Sequence, residues 1–359
     1  MLNGAYRSQK KMSWTKKDRV LAALSGEKPD RYPIFDYMIN DALFAHYLGR
    51  SIVPGEQEAI LRATSNCLDL CHPMPQAYEP KDEIFADGTR RVTERWMAWN
   101  IYPVRSRRQM KKYLTEEIER LEAGEHWLFA DFAESWRKES EARHAWAQDM
   151  VYIDLGLWAP LLPGKNFEEE AMFLSDFKAL CKRWNRLMNA AVLAMAEKRA
   201  NVSPSPVAII WNDIAMKGNL IYPPELLEEF FLPGLEEMIS MLHSKNIKAV
   251  FHSDGNVTKI LDRLADCGID GFNPLEISAG MEASHFFEKY GKKVTLVGGM
   301  DAVGVLALGS PKNAAAAAKK LMREAEGCGR LILGSSSGQL DNSMPLENIL
   351  AYFNAVWEN

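Results

Sequence analysis

The chain has 359 residues, is 47% hydrophobic and 25% charged, and carries a formal net charge of -5 at pH 7, a composition with enough apolar material for one large core. Its acidic balance leaves no electrostatic footprint for nucleic acid, and no apolar run reaches the roughly 18–20 residues that a membrane helix needs. The polar, basic stretch at 1–17 lacks the apolar segment of a signal peptide, and five irregularly spaced cysteines make no disulfide framework, so a cytoplasmic enzyme is expected.

In chain order, helical spacing over 13–24 is followed by the breaker Asp30-Arg31-Tyr32-Pro33 and a first apolar strand at 34–38 carrying Asp36. Helical patterns at 41–48 and 56–66 lead to a short run at 67–71 with Asp69 inside it. Residues 82–99 then alternate around Ala86-Asp87-Gly88-Thr89, the Asp-Gly pair that tight hairpins favour because central residues need positive φ. The region 105–143 is charged and helical, with Trp127, Trp136 and Trp146 in or near it. From residue 150 the rhythm is regular. Apolar runs at 150–155, 207–211, 249–251, 269–272, 294–297 and 331–333 alternate with helical stretches at 167–199, 223–245, 257–267, 281–290, 311–326 and 345–357. Continuous apolar runs indicate strands buried on both faces, hence parallel. Eight such strands favour a single-domain (β/α)8 TIM barrel over 1–359, with a hairpin and helical insertion at about 78–148. No Gly-x-Gly-x-x-Gly follows the first strand, which lowers a dinucleotide-binding alternative.

In such a barrel the chemistry sits at the C-terminal ends of the strands. The residues expected there are Asp36, Asp69, Asp213, His252 with Asp254, Glu276, Asp301 and the serines Ser335 to Ser337. Several acids converging on one funnel need a cation, a proton or a basic substrate. Each also has a plainer reading: Asp36 as a helix cap, Asp69 as a structural acid, Asp213 and Asp301 as turn residues. Glu276 after Pro274 and the pair His252-x-Asp254 are harder to explain that way. Cys67, Cys71 and His72 lack the spacing and second pair of a zinc knuckle, and the other cysteines read as packing residues. The serine run lacks the context of a nucleophile elbow; Ser335, Ser337 and Asn212 read as substrate contacts.

Trp211-Asn212-Asp213-Ile214-Ala215-Met216-Lys217-Gly218, running into Pro224-Glu225 and Phe230-Phe231-Leu232-Pro233, resembles the strand end, glycine and helix of the uroporphyrinogen decarboxylase superfamily. His252-Ser253-Asp254-Gly255-Asn256 resembles its His-x-Cys-Gly-Asn turn, Gly298-Gly299-Met300-Asp301 its Gly-Gly-(Ile/Met)-Asp turn, and Pro345-Leu346-Glu347-Asn348 its Pro-x-Glu-Asn. The resemblance covers about 205–357 and implies a (β/α)8 barrel. Its decarboxylase branch uses an arginine-rich N-terminal segment, of which only Arg31 remains here, an acid that Asp69 would match, and a C-terminal His whose place falls near Ser337.

The other branch resembles corrinoid-linked methyltransferases, which hold zinc through His-x-Cys and a later Cys. Here those cysteines become Asp254 and a position near Ser337, leaving His252, Asp254 and Glu276 as the implied ligands of a divalent metal, zinc or a harder ion. The first expectation is therefore a metal-assisted methyltransferase moving a methyl group between a small substrate and a corrinoid protein. Asp36, Asp69, Asp213 and Asp301 are its candidate catalytic acids, and a homodimer is its expected assembly. The alternatives are cofactor-free decarboxylation of a porphyrinogen-like acid, with Asp69 or Asp36 stabilising charge, and a binding barrel without turnover.

Overall fold

The computed structural model describes residues 14–72 and 76–358; the segment 1–13, most of the stretch considered for a signal peptide, lies outside the described residues. The expected strands form one continuous parallel ladder over six members. In spatial order these are Leu331–Ser335, Thr295–Met300, Gly271–Asn273, Lys248–His252, Val207–Trp211 and Leu155–Leu157. Val151–Tyr152, just before the last of these, pairs in parallel with Leu70–Cys71. Single bridges from Ile34 to Leu333 and from Phe35 to Leu70 link the first apolar run to both neighbours.

Two expected strands are interrupted, each by a buried acid. The run at 34–38 makes its bridges at 34 and 35 and resumes as Tyr37–Ile39, paired in parallel with Gln339–Asp341. Between them the Asp36 carboxylate takes the Ser335 N–H at 3.1 Å, replacing a ladder partner with a side chain. The run at 150–155 breaks where Asp154 accepts hydrogen bonds from Ser203 Oγ at 2.6 Å and from Ser140. The expected helix at 223–245 is two, Pro224–Phe230 and Leu232–Ser244, because Pro233 cannot continue the first.

Inward-facing residues fill the space between the strands. Phe35, Leu70, Ile153, Ile209, Val250, Val297 and Ile332 form one buried cluster, mostly the branched side chains that such interiors favour. The strand Gly271–Asn273 contributes no side chain to this cluster, because a Cβ on Gly271 would crowd Val297, Val250 and Leu24 at 3.1–3.3 Å. Helix Lys16–Ser25, started by a Thr15 capping box, closes the entry end by adding Val20, Ala23 and Leu24 to the same cluster.

Asp69 belongs to this closed end, which corrects the expectation that it faces the pocket. It precedes the strand Leu70–Cys71, is fully buried, and receives a two-pronged hydrogen bond from Arg31 at 2.7 and 2.8 Å. The Ile34 N–H adds a third bond at 3.0 Å. A planar guanidinium matches a carboxylate in a way that a lysine ammonium cannot. Arg31→Lys is therefore expected to cost ~1–2 kcal/mol of stability, read as a lower urea midpoint; an unchanged midpoint would show that the fork adds nothing over charge.

The insertion is a three-stranded antiparallel sheet, Lys81–Ile84, Arg90–Thr93 and Ala98–Ile101, followed by helices Arg107–Ala123 and Ala133–Ala147. Its first turn is longer than a two-residue hairpin. Phe85 N–H bonds Thr89 O at 2.8 Å and only Gly88 of the turn has positive φ, at 83°, the three-residue turn with a left-handed glycine. Arg105 ties the insertion to the body through the buried Glu169, at 2.7 Å. No helix of the described residues is long and apolar enough to cross a membrane.

Candidate metal centre

The inward positions one step beyond the core layer carry polar and aromatic groups. Tyr37, His72, Trp211, His252 and Asn273 each stand two residues after Phe35, Leu70, Ile209, Val250 and Gly271, so the two-residue period of a strand puts them above the packed interior. His252 lies in register between Trp211 and Asn273.

The imidazole is oriented by its neighbour. Asn273 Nδ2 donates to Val297 O at 2.7 Å, which leaves Asn273 Oδ1 as an acceptor 2.6 Å from His252 Nδ1. That hydrogen bond assigns the proton to Nδ1 and the lone pair to Nε2. Nε2 lies 3.8 Å from Asp213 and 3.8 Å from Asp254. One ligand atom from each of the three residues falls within 4.8 Å of the others. The ring is buried, whereas the two acids remain more than half exposed.

The turn that holds Asp254 is tightly constrained. Its own N–H donates to Asp213 at 3.0 Å. Gly255 has φ of +83°, and a Cβ there would lie 2.5 Å from the Ala215 carbonyl carbon, so only glycine lets the two loops touch. Partial desolvation among the packed loops pushes the Asp254 carboxyl up; His252 opposes this, and the nearby Asp213 and Glu276 charges add to it. A proton or a cation would relieve this crowding of like charge.

The remaining candidates have other partners. Glu276, expected as a ligand, accepts the Gly255 N–H at 2.8 Å and the Ser278 hydroxyl at 2.6 Å, bracing the turn from outside the His252 cluster. Asp213, expected as a pocket acid, occupies the third position of the cluster. Asn212 spends both ends of its amide on the backbone of Ala159, at 2.9 Å each, so it is a strut between loops instead of a substrate contact. Asp301 caps the following helical turn through the N–H groups of Val303 and Gly304, the plainer of its two readings. Ser335 is buried against Asp36, and the Ser337 hydroxyl donates to Gln339 O at 3.1 Å. Their turn nevertheless reaches the centre, because a Cβ on Gly338 would stand 3.5 Å from His252 Cε1.

Asn273, Tyr37 and Trp211 were not singled out from the sequence as site residues, and His72 was weighed only as part of a zinc knuckle. Asn273 holds the histidine, and Tyr37, His72 and Trp211 form an aromatic wall beside it. Tyr37 stacks on His72 at 4.5 Å, and Trp211 lies 4.6 Å from both His72 and His252. Counting in twos from the core residues of each strand would have found them.

A model of the uroporphyrinogen decarboxylase (URO-D) family matches residues 157–358, more than half of the chain and all of the loops that build the His252 centre. The chain belongs to the URO-D family. No curated protein sequence matches it. Among solved structures, a methyltransferase from Methanosarcina mazei aligns over 96% of this chain and 99% of its own at a TM-score of 0.65 and 19% identity, which shows a shared fold. Within this URO-D chain the family-matched segment begins at the end of the third strand. It leaves Tyr37 and His72 to the unmatched N-terminal part.

Proposed function

We propose that this URO-D family protein is a metal-assisted methyltransferase that moves a methyl group between a small substrate and a corrinoid protein. The bridges at Ile34 and Phe35 support reading its parallel strands as a closed (β/α)8 barrel with one functional mouth. The observation that carries the reading is the bare His252 Nε2 facing Asp213 and Asp254.

That donor set, one neutral imidazole nitrogen and two carboxylates, fits a divalent cation of borderline or hard character. Thiolate ligation does not fit, because the described cysteines lie elsewhere and burial pushes the Cys71 and Cys267 thiols up to about 12. The ion would act as a Lewis acid on a methylated oxygen or nitrogen. His252, Asp213 and Asp254 would hold it, and Asn273 keeps the imidazole in the coordinating tautomer. Glu276 and Gly255 fix the turn that presents Asp254. Decarboxylation of a polycarboxylate would call for free cationic groups; Arg31 is already committed to Asp69.

The test is metal analysis of the purified protein, with about one divalent ion per chain expected. Absence of any bound metal, together with a retained tetrapyrrole pigment, would overturn the reading. Asn273→Leu removes the acceptor that orients the ring, so metal affinity is expected to fall ~10–100-fold in competition with a chromophoric chelator. Equal affinity would show that the tautomer is not set by Asn273.

A further inference from the structure

We infer that the mouth of this protein takes a methylated ammonium cation, with Trp211 and Tyr37 as the aromatic surface that recognises it. The inference rests on the methyl-transfer reading and names its substrate class. Its basis is the combination of an aromatic wall with a charge balance that a metal ion does not cancel.

The wall is built by register. Trp211 packs on the interior cluster below it, is partly exposed above, and sits 4.6 Å from the His252 ring. Tyr37, also partly exposed, continues the wall through its stacked contact with His72. Indole and phenol faces attract cations through the negative face of the ring, tryptophan most strongly. Ligand sites are lined mainly by apolar and aromatic side chains with a few placed polar groups, whereas the layer beneath is mostly aliphatic packing. The use of aromatic residues at this level points to a ligand that covers them.

The charge balance has the same sign. Asp213 and Glu276 each lie within electrostatic reach of Asp254. Among the described residues none of the three pairs with a lysine or an arginine; the ion-pair contacts of Asp213 and Asp254 are with His252. Three ionised carboxylates would outweigh one divalent ion held by His252, Asp213 and Asp254 by one negative charge. A neutral methyl ether would leave that charge unbalanced, whereas a quaternary or tertiary methylammonium neutralises it. The same cation would place its methyl groups on the aromatic faces.

The experiment is calorimetric titration of the full-length protein with choline, with its uncharged carbon isostere 3,3-dimethyl-1-butanol, and with methoxybenzene. Metal content is measured on the same samples. Choline is expected to bind at least ~10-fold more tightly than the isostere, with Trp211→Leu losing ~10-fold or more and Trp211→Phe losing only a few-fold. Equal binding of choline and the isostere, or tighter binding of methoxybenzene, overturns the inference even if the metal is present. Tight, Trp211-dependent choline binding by a protein without metal would uphold the cation site while removing the methyl-transfer mechanism. Should Trp211→Leu fail to fold by circular dichroism, the choline-to-isostere ratio in wild type and Trp211→Phe decides alone.

Discussion

His252→Ala protein is expected to purify with no stoichiometric divalent metal and to lose at least ~100-fold in metal affinity, more than the loss typical of removing an outer partner. The histidine is the one nitrogen donor of the cluster, and its Nε2 is the atom equidistant, at 3.8 Å, from both acids. Without it Asp213 and Asp254 face each other with only a hydrogen bond from the Asp254 N–H to Asp213 between them. The truncation also strands the buried Asn273 Oδ1, so a stability loss accompanies it. Two further readings separate ligation from structure. Exogenous imidazole should restore metal uptake to the variant, because it replaces the donor but not the chain connection. Glu276→Gln should keep metal affinity within a few-fold of wild type, since Glu276 bonds Gly255 and Ser278 instead of joining the cluster. A His252→Ala protein with wild-type metal content would end the metal reading.

The place of His252 and Asp254 was legible because the signal is local. An apolar run ends at residue 251, and the two charged groups follow at once, at the end where parallel strands carry their chemistry. The six strands of the parallel sheet were legible for the same reason: runs buried on both faces are nearly unbroken by polar residues. The same continuity hid the wall. In a strand apolar on both faces, inward and outward positions look alike, so Trp211 read as the last apolar residue of a run instead of a member of an upper layer. Asp69 was misplaced because a run of five residues does not say which end carries the acid. Its location is set by Arg31, which comes from another segment and meets it only in the folded chain. Asn212 is the same case, with both amide groups claimed by Ala159 far along the sequence. Asp301 differs: its partners are two and three residues away, and the turn reading followed from local hydrogen bonding alone.

Asp36 is expected to make the protein lose stability as pH rises from about 4 to about 7, and Asp36→Asn is expected to remove that loss. The carboxyl is fully buried with no cation beside it among the described residues, and burial pushes it up to about 7, with hydrogen bonds from the Ser335 hydroxyl and N–H pulling the other way. The network shows where a proton fits. Ser335 Oγ lies 2.6 Å from Asp36 and 2.8 Å from Gln339 O, yet a hydroxyl has one hydrogen to give. If Asp36 carries a proton it donates to Ser335 Oγ, and Ser335 donates onward to Gln339 O, so both contacts are satisfied. If Asp36 is ionised, Ser335 must give its hydrogen to Asp36, and one contact is lost. The sign follows. An acid whose folded value lies above its unfolded value binds more protons when folded, so its contribution is fully present below the unfolded value and disappears as pH rises through the folded one. With a shift from 3.8 to about 7, the total is about 4 kcal/mol, at ~1.4 kcal/mol per unit. Other acids add their own slopes, so the comparison is between wild type and Asp36→Asn. Urea unfolding at pH 5, 6, 7 and 8 should show the variant gaining on wild type by ~1 kcal/mol or more per unit up to pH 7, and levelling off beyond. The turn that Ser335 and Gln339 anchor carries Gly338 against His252. Metal affinity should therefore weaken in wild type over the window in which Asp36 ionises, in excess of any change in Asp36→Asn. Parallel stability curves for the two proteins would show that Asp36 is ionised throughout and that the proton is not part of the turn.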